Sequence, residues 1–430
     1  MLSALASAWN LPDLRRKLIF TAVILVIFRF IAHVPVPGVN PANLATFFAA
    51  NPLAGMLDLF SGGALTNFSI AALGVYPYIT ASIIVQLLQP LIPQLEEMAK
   101  EGEAGRARIN LITHIITVPL AMLQGYGTGV LLANQNPPVI EHFGFGPSGD
   151  VVQTLAILIS MAAGTLLLTW MGELITENGI GNGVSVIIFG GIVARLPQIV
   201  AQGMFGNTGS IITFVVFALG GVLTVLAIVV VQEAQRRVPV QYAKRIRGSR
   251  LVGGQSTHIP LRVNSAGMIP LIFAMSIMLF PGTISSYFIQ AGGTIGNIAQ
   301  TVYGVFQTTS PLYWVFYFML VVGFTFFYTM VIFQQQNLAE NLQRYGGFIP
   351  GIRPGRPTAE YLNKVLFRIT WLGAIFLGLV AVLPFLGQVF MGSTIAMSST
   401  GLLIVVGVVL DTMKQLEAQL LMRNYEGFIK

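Results

Sequence analysis

A chain of 430 residues in which 54% are hydrophobic and only 9% charged lacks the polar surface that a water-soluble fold needs, since an average soluble domain is about 25% charged. Zero cysteines exclude disulfide scaffolds, thiolate metal sites and cysteine catalysis. The net charge of +7 has the sign of a nucleic-acid binder, but the positions of the basic residues assign most of it to membrane topology.

The apolar residues cluster into about ten runs of roughly 20 residues, each long enough to cross a bilayer's hydrocarbon. The first, 18–37, follows Arg15, Arg16 and Lys17 and carries Arg29 and His33 in its outer part. No basic residue precedes Arg15 and the run is span-length rather than a short signal core, so it is expected to be kept as an anchor. Residues 52–66, PLAGMLDLFSGGALT, are apolar but too short to span, and they hold Asp58 and a Gly pair. Such a piece is either re-entrant or an ordinary surface helix, and pattern alone leaves both open. The second run, 68–92, contains Gly74, Pro77, Ile79 and Ala81, with Ile79 and Ile83 four apart on one helix face. The third and fourth are expected at 109–133, with His114 near the inner end, and 151–172. The fifth, 184–203, puts Ile188 and Ile192 on one face and Arg195 in its outer half.

GMFGNTGS (203–210) forms a joint before the sixth run, 210–232. The connection 233–263 carries seven basic residues, among them Arg236, Arg237, Lys244 and Arg245, and the β-branched residues and proline from Arg237 to Tyr242 predict a short ribbon. The seventh run, 264–288, contains Gly267, Pro270, Ile272 and Ala274, repeating the GxxPxIxA spacing of the second. After the eighth, 311–333, the connection 334–368 carries five basic residues, including Arg353 and Arg356. There GIRPG sets Arg353 before a Pro-Gly turn that would fix its display. Runs nine and ten are 369–388 and 394–412, the last containing Ile404.

Connections on one side hold 21 of the 23 basic residues, while the opposite ones carry only Asp58, Glu141 and Asp150 as formal charges. By the positive-inside rule both termini are cytoplasmic. Ten spans divide into five and five, 1–205 and 206–430. An odd number makes the second half run inverted, an architecture that recurs in membrane transport proteins, and the GxxPxIxA echo falls on equivalent spans. Proline removes a backbone donor, so each of these helices is expected to bend or unwind near Pro77 and Pro270 and to line something wet or buried.

The middle of the spans contains no Asp or Glu, which argues against a proton- or ion-coupled transporter of small solutes. Arg29, His33, His114 and Arg195 read as snorkelling or backbone-paired groups near an interface. The four histidines are scattered without metal-ligand spacing, no second carboxylate joins Asp411 for aspartyl chemistry, and neither catalysis nor a cofactor is expected. Aliphatic faces fit another task. Ile79 and Ile83, Ile188 and Ile192, with Ile272 and Ile404, could line a constriction that resists wetting, or could be ordinary packing residues. The basic connections read either as a docking face for an acidic or phosphate-bearing partner or as topology determinants that meet anionic lipid.

Several stretches in one order, LFSGGALTNFSIAALGVYPYITASIIVQLL (59–88), EGEAGRARI (101–109), GELITENGIGNGVSVIIF (172–189), RRVPVQYAKR (236–245), IPLRVNSAGMIPLIFA (259–274) and NLAENLQRYGGFIPGIRPGRPTAEYL (337–362), resemble the SecY family, the channel subunit of the bacterial protein translocase. The resemblance covers essentially the whole chain. It implies an all-α polytopic membrane protein whose ten transmembrane helices form two inverted five-helix halves, a clamshell around a central pore in the cytoplasmic membrane. It also implies a pore ring of Ile79, Ile83, Ile188, Ile192, Ile272 and Ile404. A plug at about 52–66, with Leu57, Asp58, Leu59, Phe60, Ser61, Gly62 and Gly63, would seal it. Spans two and three, with seven and eight, would make a lateral gate for signal peptides and nascent membrane helices. Arg353 and Arg356, with Arg236, Arg237, Lys244 and Arg245, would meet the SecA motor or the ribosome. SecE and SecG would be companion subunits, and unfolded preproteins the substrate.

Overall fold

The computed structural model describes residues 11–50, 58, 61–89, 91–133, 135, 137–145, 149–205, 211–242, 245–247, 250–252, 256–288, 293–307, 310–391 and 399–427. The first half of the chain forms α1 (Pro12–Ile31), α2 (Pro41–Ala50), α3 (Tyr76–Leu88), α4 (Pro93–Lys100), α5 (Glu103–Ala133), α6 (Val151–Asn178) and α7 (Gly183–Phe205). There follow α8 (Ile211–Glu233), the strands β1 (Gln235–Tyr242), β2 (Arg245–Arg247), β3 (Arg250–Val252) and β4 (Ser256–Arg262), α9 (Ile269–Phe288) and α10 (Gly293–Val305). Then come α11 (Pro311–Gln336), α12 (Leu338–Arg344), β5 (Gly347–Phe348), α13 (Arg356–Met391) and α14 (Ser399–Gly427).

Every run expected to span overlaps a helix, but the spans are less uniform than ten equal rods. Among the described residues, α5, α6, α11 continued by α12, and α13 are long and apolar enough to cross a membrane. A fifth crossing results if α3 and α4, bent by 101° at a short break, are one broken span. Shorter apolar stretches lie at Gly183–Pro197, Ala218–Glu233 and Ile269–Met278, within α7, α8 and α9. Side chains such as Leu219, Val222, Leu223, Leu226 and Val230 of α8 are exposed, as a surface solvated by hydrocarbon requires.

The run 68–92 is not one helix. Residues 70–75 are turns, Gly74 has φ +58°, and Pro77 sits in the first turn of α3, where its missing N–H is no loss. The same holds in the seventh run: Gly267 has φ +65°, residues 263–268 are turns or bends, and Pro270 is the second residue of α9. Pro77 and Pro270 therefore open helices rather than bending them midway, because a left-handed glycine three residues earlier, cheap only for glycine, already redirects the chain. The echo is geometric as well. The Ile79 N–H donates to the Val75 carbonyl at 3.1 Å and the Ile272 N–H to the Met268 carbonyl at 3.5 Å, and each acceptor directly follows the motif glycine.

Two compact units result: residues 1–211, 279–310 and 407–430, and residues 212–278 and 311–406. In the first, α5 packs on α3 and α6, α6 on α1 and α7, and α7 on α1. The N-terminus of α6 is capped by Asp150, whose carboxylate accepts from the Val152 and Gln153 N–H groups. A core of Val36, Leu44, Phe47, Leu65, Phe68, Leu132, Ile140, Ile157 and Met161 gathers α2, α5, α6 and the turn residues. In the second unit α11 packs along α13. Several buried threonines satisfy themselves locally, as where the Thr117, Thr169 and Thr325 hydroxyls donate to the carbonyl four residues back at 2.6–2.8 Å, so apolar helix faces accommodate them.

Candidate functional site

The segment 58–66 holds the first unit's fully buried carboxylate among the described residues, Asp58. Asp58, Ser61, Gly62, Gly63, Ala64 and Leu65 are buried. Leu57, Leu59 and Phe60 lie outside the described residues. The fully buried Asp58 carboxylate organises its own segment: one oxygen accepts from the Ser61 hydroxyl and from the Leu65 and Thr66 N–H groups, each at 3.0 Å. The other oxygen accepts from the Thr66 hydroxyl and pairs with the Arg195 guanidinium of α7 at 2.5 Å. Arg29 at the end of α1 donates to the Gly62 carbonyl at 2.7 Å. Arg29 thus finds backbone, as its sequence position suggested, whereas the partnership of Arg195 with Asp58 across 137 positions is not visible in either residue's neighbourhood.

Glycine is required at this contact. Gly62 and Gly63 have φ of +68° and +89°, and a Cβ on Gly62 would lie 2.5 Å from the Gly191 Cα. Reciprocally, a Cβ on Gly191 would lie 2.7 Å from the Gly62 Cα. Two backbones thus touch, with Gly191 adjacent to Ile192 on α7. Beyond the segment, the chain is stitched to the residues after α1: the Val36 N–H donates to the Phe68 carbonyl at 2.9 Å and the Ile70 N–H to the Val34 carbonyl at 3.0 Å.

The six isoleucines are distributed over both units. Ile83, Ile188, Ile192, Ile272 and Ile404 are buried, and Ile79 is half-buried. Ile79 and Ile83 share a face of α3 and Ile188 and Ile192 a face of α7, both in the first unit. Ile272 on α9 and Ile404 on α14 belong to the second.

A second polar cluster joins α3, α5 and α6. Glu173 Oε1 accepts from Asn110 Nδ2 at 2.7 Å and lies 2.7 Å from His114 Nε2, and the Tyr78 hydroxyl donates to Asn110 Oδ1 at 3.1 Å. Placing the fourth span's end at 172 hid this network, because α6 continues to Asn178 and so carries Glu173 alongside His114.

The basic connections of the second unit fold together. β1 lies between β4 and β5, antiparallel to both, with Val238 and Val240 inward and Arg236, Arg237, Pro239 and Gln241 exposed. The buried face packs Val238, Val240 and Leu261 on Leu342, Ile349, Leu362 and Leu366. Arg353 is exposed before the turn, where Gly355 has φ +101° and the Arg353 carbonyl accepts from the Thr358 hydroxyl at 2.8 Å. Arg356 begins α13 and faces Glu360 across 3.5 Å, both exposed. Arg245 belongs to β2, and Lys244 lies outside the described residues.

The SecY family profile matches residues 69–413. A protein of Streptomyces galbus named "Protein translocase subunit SecY" is 45% identical over 444 aligned residues that cover 100% of both chains. The chain also superposes on a solved structure described as "The structure of a protein conducting channel" with a TM-score of 0.61 at 16% identity, covering 94% of this chain and 92% of the other. Another superposes with a TM-score of 0.59 at 16% identity and the same coverage, and its description states that the plug domain of the SecY protein stabilises the closed state of the translocation channel.

Proposed function

This chain belongs to the SecY family, and we propose that it is the protein-conducting channel through which unfolded preproteins cross the cytoplasmic membrane. The observation that carries this reading is the glycine-on-glycine seat of segment 58–66 against α7, the helix of Ile188 and Ile192. A short buried segment resting on an apolar helix beside an aliphatic face is what a plug closing a greasy constriction requires. The pore ring of Ile79, Ile83, Ile188, Ile192, Ile272 and Ile404 and the inverted relation of 1–205 to 206–430 belong to the same proposal. The shared φ of Gly74 and Gly267 and the matching Ile79 and Ile272 hydrogen bonds support that relation.

The chemistry suits a substrate of varied side chains. An aliphatic ring fixes no hydrogen bonds, so it grips no sequence strongly yet resists wetting when closed. Lateral release through a gate of α3 and α5 with α9 and α11 is a partition, each buried CH₂ favouring lipid by roughly 0.8 kcal/mol. Helix seams in lipid lack a hydrophobic driving force of their own, which lets such a gate part. The exposed Arg236, Arg237, Arg353 and Arg356 on a braced sheet and turn provide the docking face for SecA or the ribosome, with SecE and SecG as companion subunits and both termini cytoplasmic.

The test is reconstitution of the full chain with SecE, SecG and SecA in vesicles. ATP-dependent protection of a preprotein from external protease is expected. Its absence, with SecA binding intact, overturns the proposal.

A further inference from the structure

We infer that Asp58 and Arg195 are positioning residues forming a releasable latch that holds segment 58–66 in its docked place, with Arg29 as a second catch on the Gly62 carbonyl. The inference rests on the plug reading above and adds what fastens the plug. Among the described residues, this is the ion pair whose carboxylate is fully buried; the carboxylates of the others are partly exposed or more.

A buried ion pair is ordinarily a poor release device, because separating it strands a desolvated charge. Here the donors divide in a way that avoids this. The Ser61 hydroxyl, the Leu65 and Thr66 N–H groups and the Thr66 hydroxyl all belong to the segment itself, so they travel with Asp58 and keep its carboxylate satisfied wherever the segment goes. The donor from outside is Arg195, whose Nη1 meets Asp58 and whose Nη2 reaches the Thr66 hydroxyl at 3.5 Å. Arg195 keeps about a fifth of its side chain exposed (20%), so its guanidinium can reach water once the segment leaves. The charge-assisted contact with Arg195, strong while closed, thus parts on undocking without orphaning either charge, alongside the Arg29 catch on Gly62. A structural salt bridge in a packed core has no such division.

The geometry also explains why the latch is specific to an arginine. The two nitrogens of one planar fork engage Asp58 and Thr66 together, a spacing that lysine's compact point-charge ammonium does not reproduce. Arg29 Nη1 would be 3.5 Å, and Arg195 Cδ 3.8 Å, from a Cβ built on Gly63, which places that glycine beside both catches.

The experiment uses the full chain with SecE and SecG in planar bilayers, comparing Asp58→Asn, Arg195→Gln, Arg195→Lys and the double Asp58→Asn/Arg195→Gln. Each single change is expected to raise resting open probability about tenfold, equivalent to ~1.4 kcal/mol. The double is expected to match either single change, since a broken pair cannot be broken twice. A docking readout independent of conductance is available because the chain has no native cysteine. Ala64→Cys, at a fully buried position, is expected to react with an impermeant maleimide about tenfold faster in each latch variant, with the melting temperature unchanged. Unaltered conductance and labelling in the variants, while removal of residues 57–66 raises conductance, overturns the latch and leaves the channel standing. Silence after that removal as well overturns the plug reading and the latch with it. Additive effects in the double overturn the pairing.

Discussion

Replacing Gly191 by alanine separates docking of segment 58–66, the proposed plug, from stability of the fold. Gly191 lies inside α7 with helical backbone, so a methyl group carries no conformational cost there and favours the helix by up to ~1 kcal/mol. The added Cβ would nonetheless lie 2.7 Å from the Gly62 Cα and 3.2 Å from the Gly62 nitrogen. Neither neighbour is a flexible side chain that can turn aside, and overpacking of this kind costs about 1–3 kcal/mol. That cost falls only on the docked state, because the segment takes its backbone with it on leaving. A shift of 1–3 kcal/mol is about 5–150-fold in the closed-to-open ratio. Conductance of the reconstituted complex without substrate is therefore expected to rise within that range, while the melting temperature holds or increases. Unchanged resting conductance in a well-folded Gly191→Ala complex would falsify the seat on α7. A rise accompanied by a fall in melting temperature would point to general loosening instead.

Two further outcomes test other parts of the molecule. Arg353→Glu is expected to leave the melting temperature unmoved, since exposed positions of this kind change stability by no more than about 0.5 kcal/mol; it should weaken SecA binding in a co-sedimentation titration, and undiminished binding removes Arg353 from the docking face. Glu173→Ala strips Asn110 and His114 of their shared acceptor and should lower stability by about 1–3 kcal/mol, read by thermal melting in detergent. A smaller loss for Glu173→Gln, which retains an acceptor oxygen, distinguishes the network from simple packing.

Much of the helical organisation is legible in composition, because a bilayer demands long apolar runs and each run overlaps a helix. Legibility fails where a short-range signal competes with the run. Residues 70–75 are as apolar as the helix they precede, and only the pairing of Gly74 with Pro77 marks the break; the spacing was visible, but it reads equally as a kink. The site was less readable. Asp58 and Arg195 each appear as a lone charge in an apolar stretch, and no local periodicity connects residues so far apart. The pairing of β1 with β5 is likewise invisible, since a two-residue strand at Gly347 and Phe348 carries no alternation. The ribbon near Arg237 was readable because Val238 and Val240 alternate with Arg237, Pro239 and Gln241.

The three-stranded sheet has a mechanical consequence. β1 continues directly from α8, β4 leads into α9, and β5 with α12 lies on the path from α11 to α13, so four helix ends terminate in one welded handle. Force applied to either connection would be shared by both, so a tug on a single exposed arginine would become a concerted pull on several helices rather than the stretching of a slack tether.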